Sequence, residues 1–168
     1  MEYDIEVLTI LAEVTIGFVA FTTIVAAIKL SLGGELTPYQ KILIHYFTES
    51  SLLMLSIILL SIILVAYYPG DDESIARIAL TYSFITTCTY LFFYLRRRLM
   101  LKIPTAMISL VVIVGYFVMI TLLGITISPL LWPPMLAHIS YMALWNFVSC
   151  AAIFTFFLGT FIDSKETE

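Results

Sequence analysis

Five long apolar runs constrain the fold of this chain more than any other feature of its sequence. Each holds about 20 or more residues with few charges, which is the length a helix needs to cross a bilayer. The runs cover residues 5–30, 39–67, 73–98, 105–127 and 135–162. Because lipid cannot satisfy backbone amides, a run of this kind folds as a helix. The sequence therefore predicts an all-α, polytopic integral membrane bundle with five transmembrane helices.

The composition argues against a separate soluble domain. Hydrophobic residues make up 61% of the 168-residue chain and charged residues 12%, whereas soluble domains carry about 25% charged residues. We therefore expect one transmembrane domain over residues 1–168. The sequence contains no P-loop, dinucleotide-binding, HExxH or nucleophile-elbow motif. These observations predict that the protein is not an enzyme and uses no cofactor or metal.

Capping and turn signals separate the runs. Thr37, Pro38 and Gln40 match an N-cap, a first helical position and the partner of a capping box. A helix is therefore expected to begin at this point. Further breaks are predicted at Gly33-Gly34, Pro69-Gly70, Asp71-Asp72, Pro104, Ser128-Pro129 and Pro133-Pro134.

The basic residues predict the orientation of the helices. With five spans, the first loop, the third loop and the C-terminal tail share one side of the membrane. That side holds Lys29, Lys41, Arg96, Arg97, Arg98, Lys102 and Lys165, and only Arg77 lies toward the other side. The positive-inside rule then places the N-terminus outside and the C-terminus in the cytoplasm. The triplet Arg96, Arg97 and Arg98 is interpreted as an anchor for anionic lipid head groups, so nucleic-acid binding is not expected.

The opening of the chain resembles a group of uncharacterised small bacterial polytopic membrane proteins. The resemblance rests on AEVTIGFVAFTTIVA, on the Gly-Gly break after it and on the LTPYQ start of the next run. It covers residues 12–53 and the overall layout, including arginine-rich cytoplasmic loops. It implies a bacterial inner (plasma) membrane location, and it carries over no catalytic or binding residue.

An acidic residue within the first run, Glu13, is the main candidate functional residue. An ionised carboxylate is costly in hydrocarbon, so Glu13 needs a partner or water. Helical spacing places it on one face with small and apolar residues, and with a second acid near the end of the run. The members of this face are Glu6, Glu13, Gly17, Ala20, Ile24 and Ala27. The face is either a pore-lining or ion-binding stripe on an oligomer axis, or a close helix interface in which Glu13 is protonated or hydrogen-bonded.

Other polar residues also lie inside the predicted spans. His45 and Glu49 are four residues apart and share a face of the second helix. They could relay protons or join a metal site, or form an intrahelical hydrogen bond, and Glu49 could instead meet Lys29 or a cytoplasmic arginine. Burying the Asn146 amide without a hydrogen-bond partner would destabilise the fold. The residue is therefore expected to make an interhelical or intersubunit contact.

Two further helix faces each have two possible roles. His138, Tyr141 and Trp145 lie along one stripe of the fifth run and form either a ligand pocket near the outer surface or interfacial aromatic anchors. The third run has a hydroxyl-rich face that either packs against other helices or lines a watery cavity. Its members are Ser83, Thr87, Tyr90 and Tyr94.

These patterns lead to two hypotheses about function. In the first, the chain forms a homo-oligomer with an ion-conducting pore or cation pathway lined by the first helix. Glu6 and Glu13 would attract cations at the outer mouth, and Ile24 could form a dewetting gate. In the second, the chain is a non-transporting accessory or scaffold subunit in a larger membrane complex. A symmetric homo-oligomer on purification favours the first, and a monomer that co-purifies with other chains favours the second.

Overall fold

Five α-helices make up most of the chain in a computed structural model, which describes residues 2–31, 37–68, 70–100, 107–128 and 133–163. The helices are α1 (Glu2–Ser31), α2 (Pro38–Tyr67), α3 (Asp72–Met100), α4 (Met107–Ile127) and α5 (Ala137–Asp163). Each contains a stretch of 20 to 29 residues that is long and apolar enough to cross a membrane. The prediction of five helices, each long and apolar enough to cross a membrane, is confirmed for the described residues, with boundaries shifted by a few residues.

Local capping explains where two of the helices begin. The Thr37 hydroxyl accepts a hydrogen bond from the Gln40 amide at 3.2 Å, and the Thr37 amide donates to Gln40 Oε1 at 3.1 Å. This is the predicted capping box, with Pro38 at the first helical position. At the start of α3, Asp71 Oδ1 accepts from the Ser74 amide at 3.2 Å.

The turn between α2 and α3 contains Gly70, whose φ of 100° lies in the left-handed region that favours glycine. Several other predicted signals lie outside the described residues. They are Gly33-Gly34, Pro69, Lys102, Pro104, Pro129, Lys165, the first two residues of the predicted 105–127 run and the side chain of Lys29.

The helices pack around two core clusters, one in each half of the bundle. The upper core joins the first halves of α1, α3 and α5 to the second halves of α2 and α4, and all of its buried side chains are aliphatic or methionine. It includes Leu8, Ile57, Ile75, Leu123 and Ile139. Because early residues of one helix meet late residues of the next, consecutive helices run antiparallel.

The lower core joins the opposite halves of the same helices and has a different character. It is rich in aromatic side chains and includes Tyr46, Phe47, Tyr94, Tyr116 and Phe154. Its tyrosine rings contact one another, with an edge-on pair at 5.5 Å between the centroids of Tyr46 and Tyr94 and a stacked pair at 6.1 Å between those of Tyr90 and Tyr94. The two halves of the bundle core therefore differ in their content of buried aromatic rings.

The first helix lies at one edge of the bundle. It packs against α2 and α5, whereas α4 packs against α3 and α5 on the other side. In the most apolar stretch of α1, 22% of the residues are buried, as in α4 at the other edge, compared with 44% in α2 and in α5. Most of the surface of α1 is therefore left uncovered by the other described helices.

Candidate functional site

The predicted acid-and-small face of α1 points away from the rest of the protomer. We call this surface the α1 outer face, and it consists of Glu6, Glu13, Gly17, Ala20 and Ile24, all exposed. The opposite side of the helix is buried, at Leu8, Ala12, Thr22 and Ala26. A Cβ added to Gly17 would meet nothing within 4 Å. In the described protomer, the α1 outer face is therefore not an interface with another helix of the same chain.

Glu13 lies well inside the apolar span of α1. The span runs over Ile5–Ile28. Glu13 is eight residues after Ile5, which at about 1.5 Å per residue is roughly 12 Å along the helix. Within the described residues Glu13 forms neither a hydrogen bond nor an ion pair. The carboxylate therefore lacks the partner that an acid at this depth needs.

Two threonine hydroxyls flank the α1 outer face. Thr9 and Thr23 are exposed, and their hydroxyls donate to the carbonyls of Ile5 at 2.9 Å and Val19 at 2.8 Å. A hydroxyl whose proton is used in this way has only its lone pairs left for other partners. The uncovered side of α1 thus presents oxygen acceptors together with the Glu13 carboxylate, and both suit a cation.

The two flanks of the α1 outer face differ in bulk. One flank carries Ile10, Phe21 and Ile28, which are 52%, 53% and 54% exposed. The other flank carries Thr9 and Thr23 beside Ala20, and Ile16 is the large side chain among them. Small residues let a neighbouring helix approach closely in lipid. The bulky flank of one α1 is therefore suited to pack on the small flank of another.

Glu49, in contrast to Glu13, has a partner on a neighbouring helix. Its Oε1 lies 2.8 Å from Nη1 of Arg97 and 3.8 Å from Nδ1 of His45. The second distance is too long for a hydrogen bond. Side chains lean toward the N-terminus of their helix, so Arg97, near the end of α3, reaches back along the bundle to Glu49. Of the alternatives for Glu49, the structure has the arginine as the close contact.

The Glu49–Arg97 pair should stabilise the bundle measurably. Glu49→Gln leaves the Arg97 guanidinium without a countercharge among apolar side chains, and we expect it to lower the stability by about 1–2 kcal/mol. Thermal unfolding in detergent measures this as a lower Tm. Glu73–Arg77 is a matched control, with the same 2.8 Å separation but at the water-exposed start of α3. Glu73→Gln should change stability by less than about 1 kcal/mol, and equal losses in both variants would contradict the prediction.

Asn146 lies at the boundary of the two cores and joins three helices. Its Nδ2 donates to Tyr116 Oη on α4 at 2.9 Å and to the Ser50 carbonyl on α2 at 3.3 Å. The Cys150 thiol donates to Asn146 Oδ1 at 3.6 Å. Asn146 is 4% exposed. It therefore makes an interhelical contact within the protomer rather than facing a second subunit.

The three arginines of the triplet have different surroundings in the structure. Arg97 is paired with Glu49, and Arg98 is 6% exposed. Its Nη1 donates to Tyr94 Oη at 3.0 Å, and its guanidinium lies 5.7 Å from the centroid of the Tyr94 ring. Contact of the triplet with anionic lipid stays a prediction, and Arg96 is the exposed member. The inward direction of Arg98 was not predicted, because it depends on the rotation of α3 within the bundle. The one signal along the chain is Tyr94, the partner one turn earlier.

The hydroxyl-rich face of α3 lies inside the bundle. Ser83, Thr87 and Tyr94 are buried, and the Tyr90 ring lies 6.3 Å from that of Tyr116 on α4. This arrangement agrees with helix packing rather than with a wide watery cavity. Among the described residues, no group of three or more His, Cys, Asp or Glu could hold a metal ion.

Comparison of the chain with protein-family models, with curated proteins and with solved structures finds no match. The functional conclusion therefore rests on geometry. The structure gathers Glu6, Glu13, Gly17, Ala20 and Ile24 on one exposed face. It places His45 and Glu49 on a different surface and Asn146 in the interior.

Proposed function

We propose that this chain is a small integral membrane protein that oligomerises through α1 and forms a cation pathway lined by the α1 outer face. Glu13, which is exposed and has no partner among the described residues, carries the proposal. In a lone protomer this carboxylate would face lipid, where an acidic residue at the centre of a helix costs about 2.5–3.5 kcal/mol. In a ring of copies it would face water on the axis, and that cost would be avoided.

The interior of the protomer supports a pathway between copies rather than through one of them. The upper core consists of aliphatic and methionine side chains packed together, with Leu8, Ile57, Ile75 and Ile139 almost fully buried. The buried hydroxyls in this half, Ser61 and Ser83, already donate to carbonyls of their own helices. An ion crossing this region would therefore lose its hydration and meet no charged group among these side chains. A carboxylate that could replace water around a cation is found instead on the uncovered side of α1, at Glu13.

The unequal flanks of α1 support a closed ring. If the bulky flank around Phe21 packs on the small flank around Ala20 of the next copy, each interface is head-to-tail. Such interfaces close into rings with cyclic symmetry when the rotation allows it. In the ring, Glu6 and Glu13 would attract cations near one mouth, and Ile24 would form an apolar constriction deeper in the pathway.

We further propose that this pathway lies in a bacterial inner membrane with the N-terminus outside and the C-terminus in the cytoplasm. The distribution of Lys and Arg supports this orientation through the positive-inside rule. Glu6 and Glu13 would then lie nearer the outer mouth, and the exposed Arg96 would meet the cytoplasmic leaflet.

Cysteine cross-linking in native membranes tests the assembly. Ala20→Cys should give a disulfide-linked dimer on mild oxidation, because the α1 outer faces of neighbouring copies meet near the axis. Val114→Cys is the matched control, since it is 53% exposed on α4 at the other edge of the bundle. Both variants are made with Cys88 replaced by Ala.

The cross-linking result also separates the two hypotheses about function. A dimer from Ala20→Cys and none from Val114→Cys supports the homo-oligomer. No dimer from either variant, together with a monomer that co-purifies with other membrane proteins, contradicts it and favours the accessory subunit.

A further inference from the structure

A pocket of about 330 Å³ opens between α4 and α5, at a distance from the α1 outer face. Met119, Leu123 and Thr126 line it from α4, and His138, Tyr141 and Met142 line it from α5. Volumes of about 300–1,000 Å³ are typical of small-molecule sites. The pocket is independent of the proposed cation pathway, because α1 contributes none of the residues that line it.

The position of the pocket suits a molecule that dissolves in the membrane. Its rim lies at His138, in the first turn of α5, and at Thr126, in the last turn of α4. Met119 is seven residues before Thr126, which corresponds to roughly 10 Å along the helix. The pocket therefore extends from the end of the membrane-spanning helices toward the middle of the bilayer.

The polar groups lie at the rim. His138 Nδ1 is fixed by the backbone of Met135, 3.0 Å from its oxygen and 3.2 Å from its nitrogen. If Nδ1 donates to the oxygen, Nε2 is an acceptor, and if Nδ1 accepts from the amide, Nε2 is a donor. Nε2 is thus the ring atom left for a ligand. Tyr141 is 65% exposed, and within the described residues its hydroxyl has no partner.

The remaining lining indicates the kind of ligand. Among the described residues, none of those that line the pocket is Lys, Arg, Asp or Glu, so a charged head group would find no countercharge. The thioethers of Met119 and Met142 and the ring of Tyr141 make favourable contacts with flat unsaturated rings. The volume fits one substituted ring and is too small for a whole two-chain lipid.

We propose that this pocket binds the ring of a membrane-soluble quinone, with the apolar tail in the bilayer. His138 takes the tautomer in which Nδ1 accepts from the Met135 amide and Nε2–H donates to a ring carbonyl oxygen. The uncharged lining suits a neutral molecule, and the rim can form hydrogen bonds with the ring oxygens. The thioethers of Met119 and Met142 can contact the face of the ring. The proposal concerns binding alone, and it stands or falls separately from the cation pathway.

Tryptophan fluorescence tests the proposal. With Trp132 replaced by Phe, Trp145 is the remaining tryptophan, one helical turn from Tyr141. The protein is reconstituted in lipid nanodiscs and titrated with decylubiquinone, which quenches nearby indoles. We expect saturable quenching of Trp145. His138→Leu should raise the Kd about fivefold to tenfold through loss of one hydrogen bond.

Two further variants make the outcome decisive. His45→Leu changes the other histidine of the chain, outside the pocket, and should leave the Kd unchanged. Leu123→Phe fills the pocket and should remove the saturable phase while the protein still elutes as a folded species. Quenching that rises linearly with quinone in every variant reflects partition into lipid and overturns the proposal, as does equal affinity in His138→Leu. Saturation by a phospholipid that blocks quinone would also overturn it.

Discussion

Glu13→Gln should reduce cation flux through the reconstituted protein about tenfold or more while the oligomer persists. Gln keeps the size of Glu and removes its charge. Acidic rings concentrate cations at the mouth of a channel, and focusing of this kind changes entry rates by about 10–10³-fold. Because Glu13 is the one acid of the α1 outer face well inside the span, its removal should lower flux more than Glu6→Gln.

The flux measurement uses liposomes with a cation-sensitive dye or a planar bilayer. Assembly of Glu13→Gln is verified by the Ala20→Cys cross-link. Glu73→Gln is the control, because Glu73 pairs with Arg77 at the start of α3 and should leave flux unchanged. Equal flux in Glu13→Gln and the parent, or no flux in the parent, would rule out the cation pathway.

Gly115→Ala should be among the most destabilising single-methyl changes in the bundle. Gly115 lets the Trp145 indole lie against the backbone of α4, and an added Cβ would lie 2.5 Å from Cε2 and 2.6 Å from Cη2 of that ring. Overpacking of this kind costs about 1–3 kcal/mol. For a chain of this length each kcal/mol lowers Tm by about 2–4 °C.

Gly124→Ala provides a matched control on the same helix. A Cβ at Gly124 would be 3.5 Å from the nearest atom, on the Phe84 ring, which is an ordinary contact. This variant should keep or slightly raise Tm, since Ala is the better helix former. Adding Trp145→Leu to Gly115→Ala should restore part of the lost stability. Similar Tm values for the two alanine variants would show that the Trp145 contact does not limit packing.

The sequence was sufficient for the features that depend on neighbouring residues. Run length and hydropathy predicted five helices, and the Thr37–Gln40 capping box marked the start of α2. Both signals arise within a few residues of where they act. The positive φ of Gly70 in the turn before α3 is likewise a local feature, which the Pro69-Gly70 pair in the sequence indicates.

Contacts between helices could not be predicted in the same way. In a soluble helix the apolar stripe identifies the buried face, but in lipid both faces are apolar, so the rotation of each helix is hidden. The choice of Arg97 over His45 as the close partner of Glu49, and the burial of Arg98 against Tyr94, depend on that rotation. So does the outward direction of Glu13. The spacing of Glu13 and Gly17 predicted that they share a helix face, but not whether that face contacts another helix or points away from the protomer.

Asn146 has a consequence for how the helices find one another during folding. Aliphatic ridges repeat with every helical turn, so α5 could slide past its neighbours by one turn, about 5.4 Å, and still bury similar surface. A slip of that size would separate the Asn146 amide from both Tyr116 and the Ser50 carbonyl. A single polar side chain can fix the alignment of packed helices in this way. Asn146 therefore selects one alignment of α5 among several that apolar packing alone would accept.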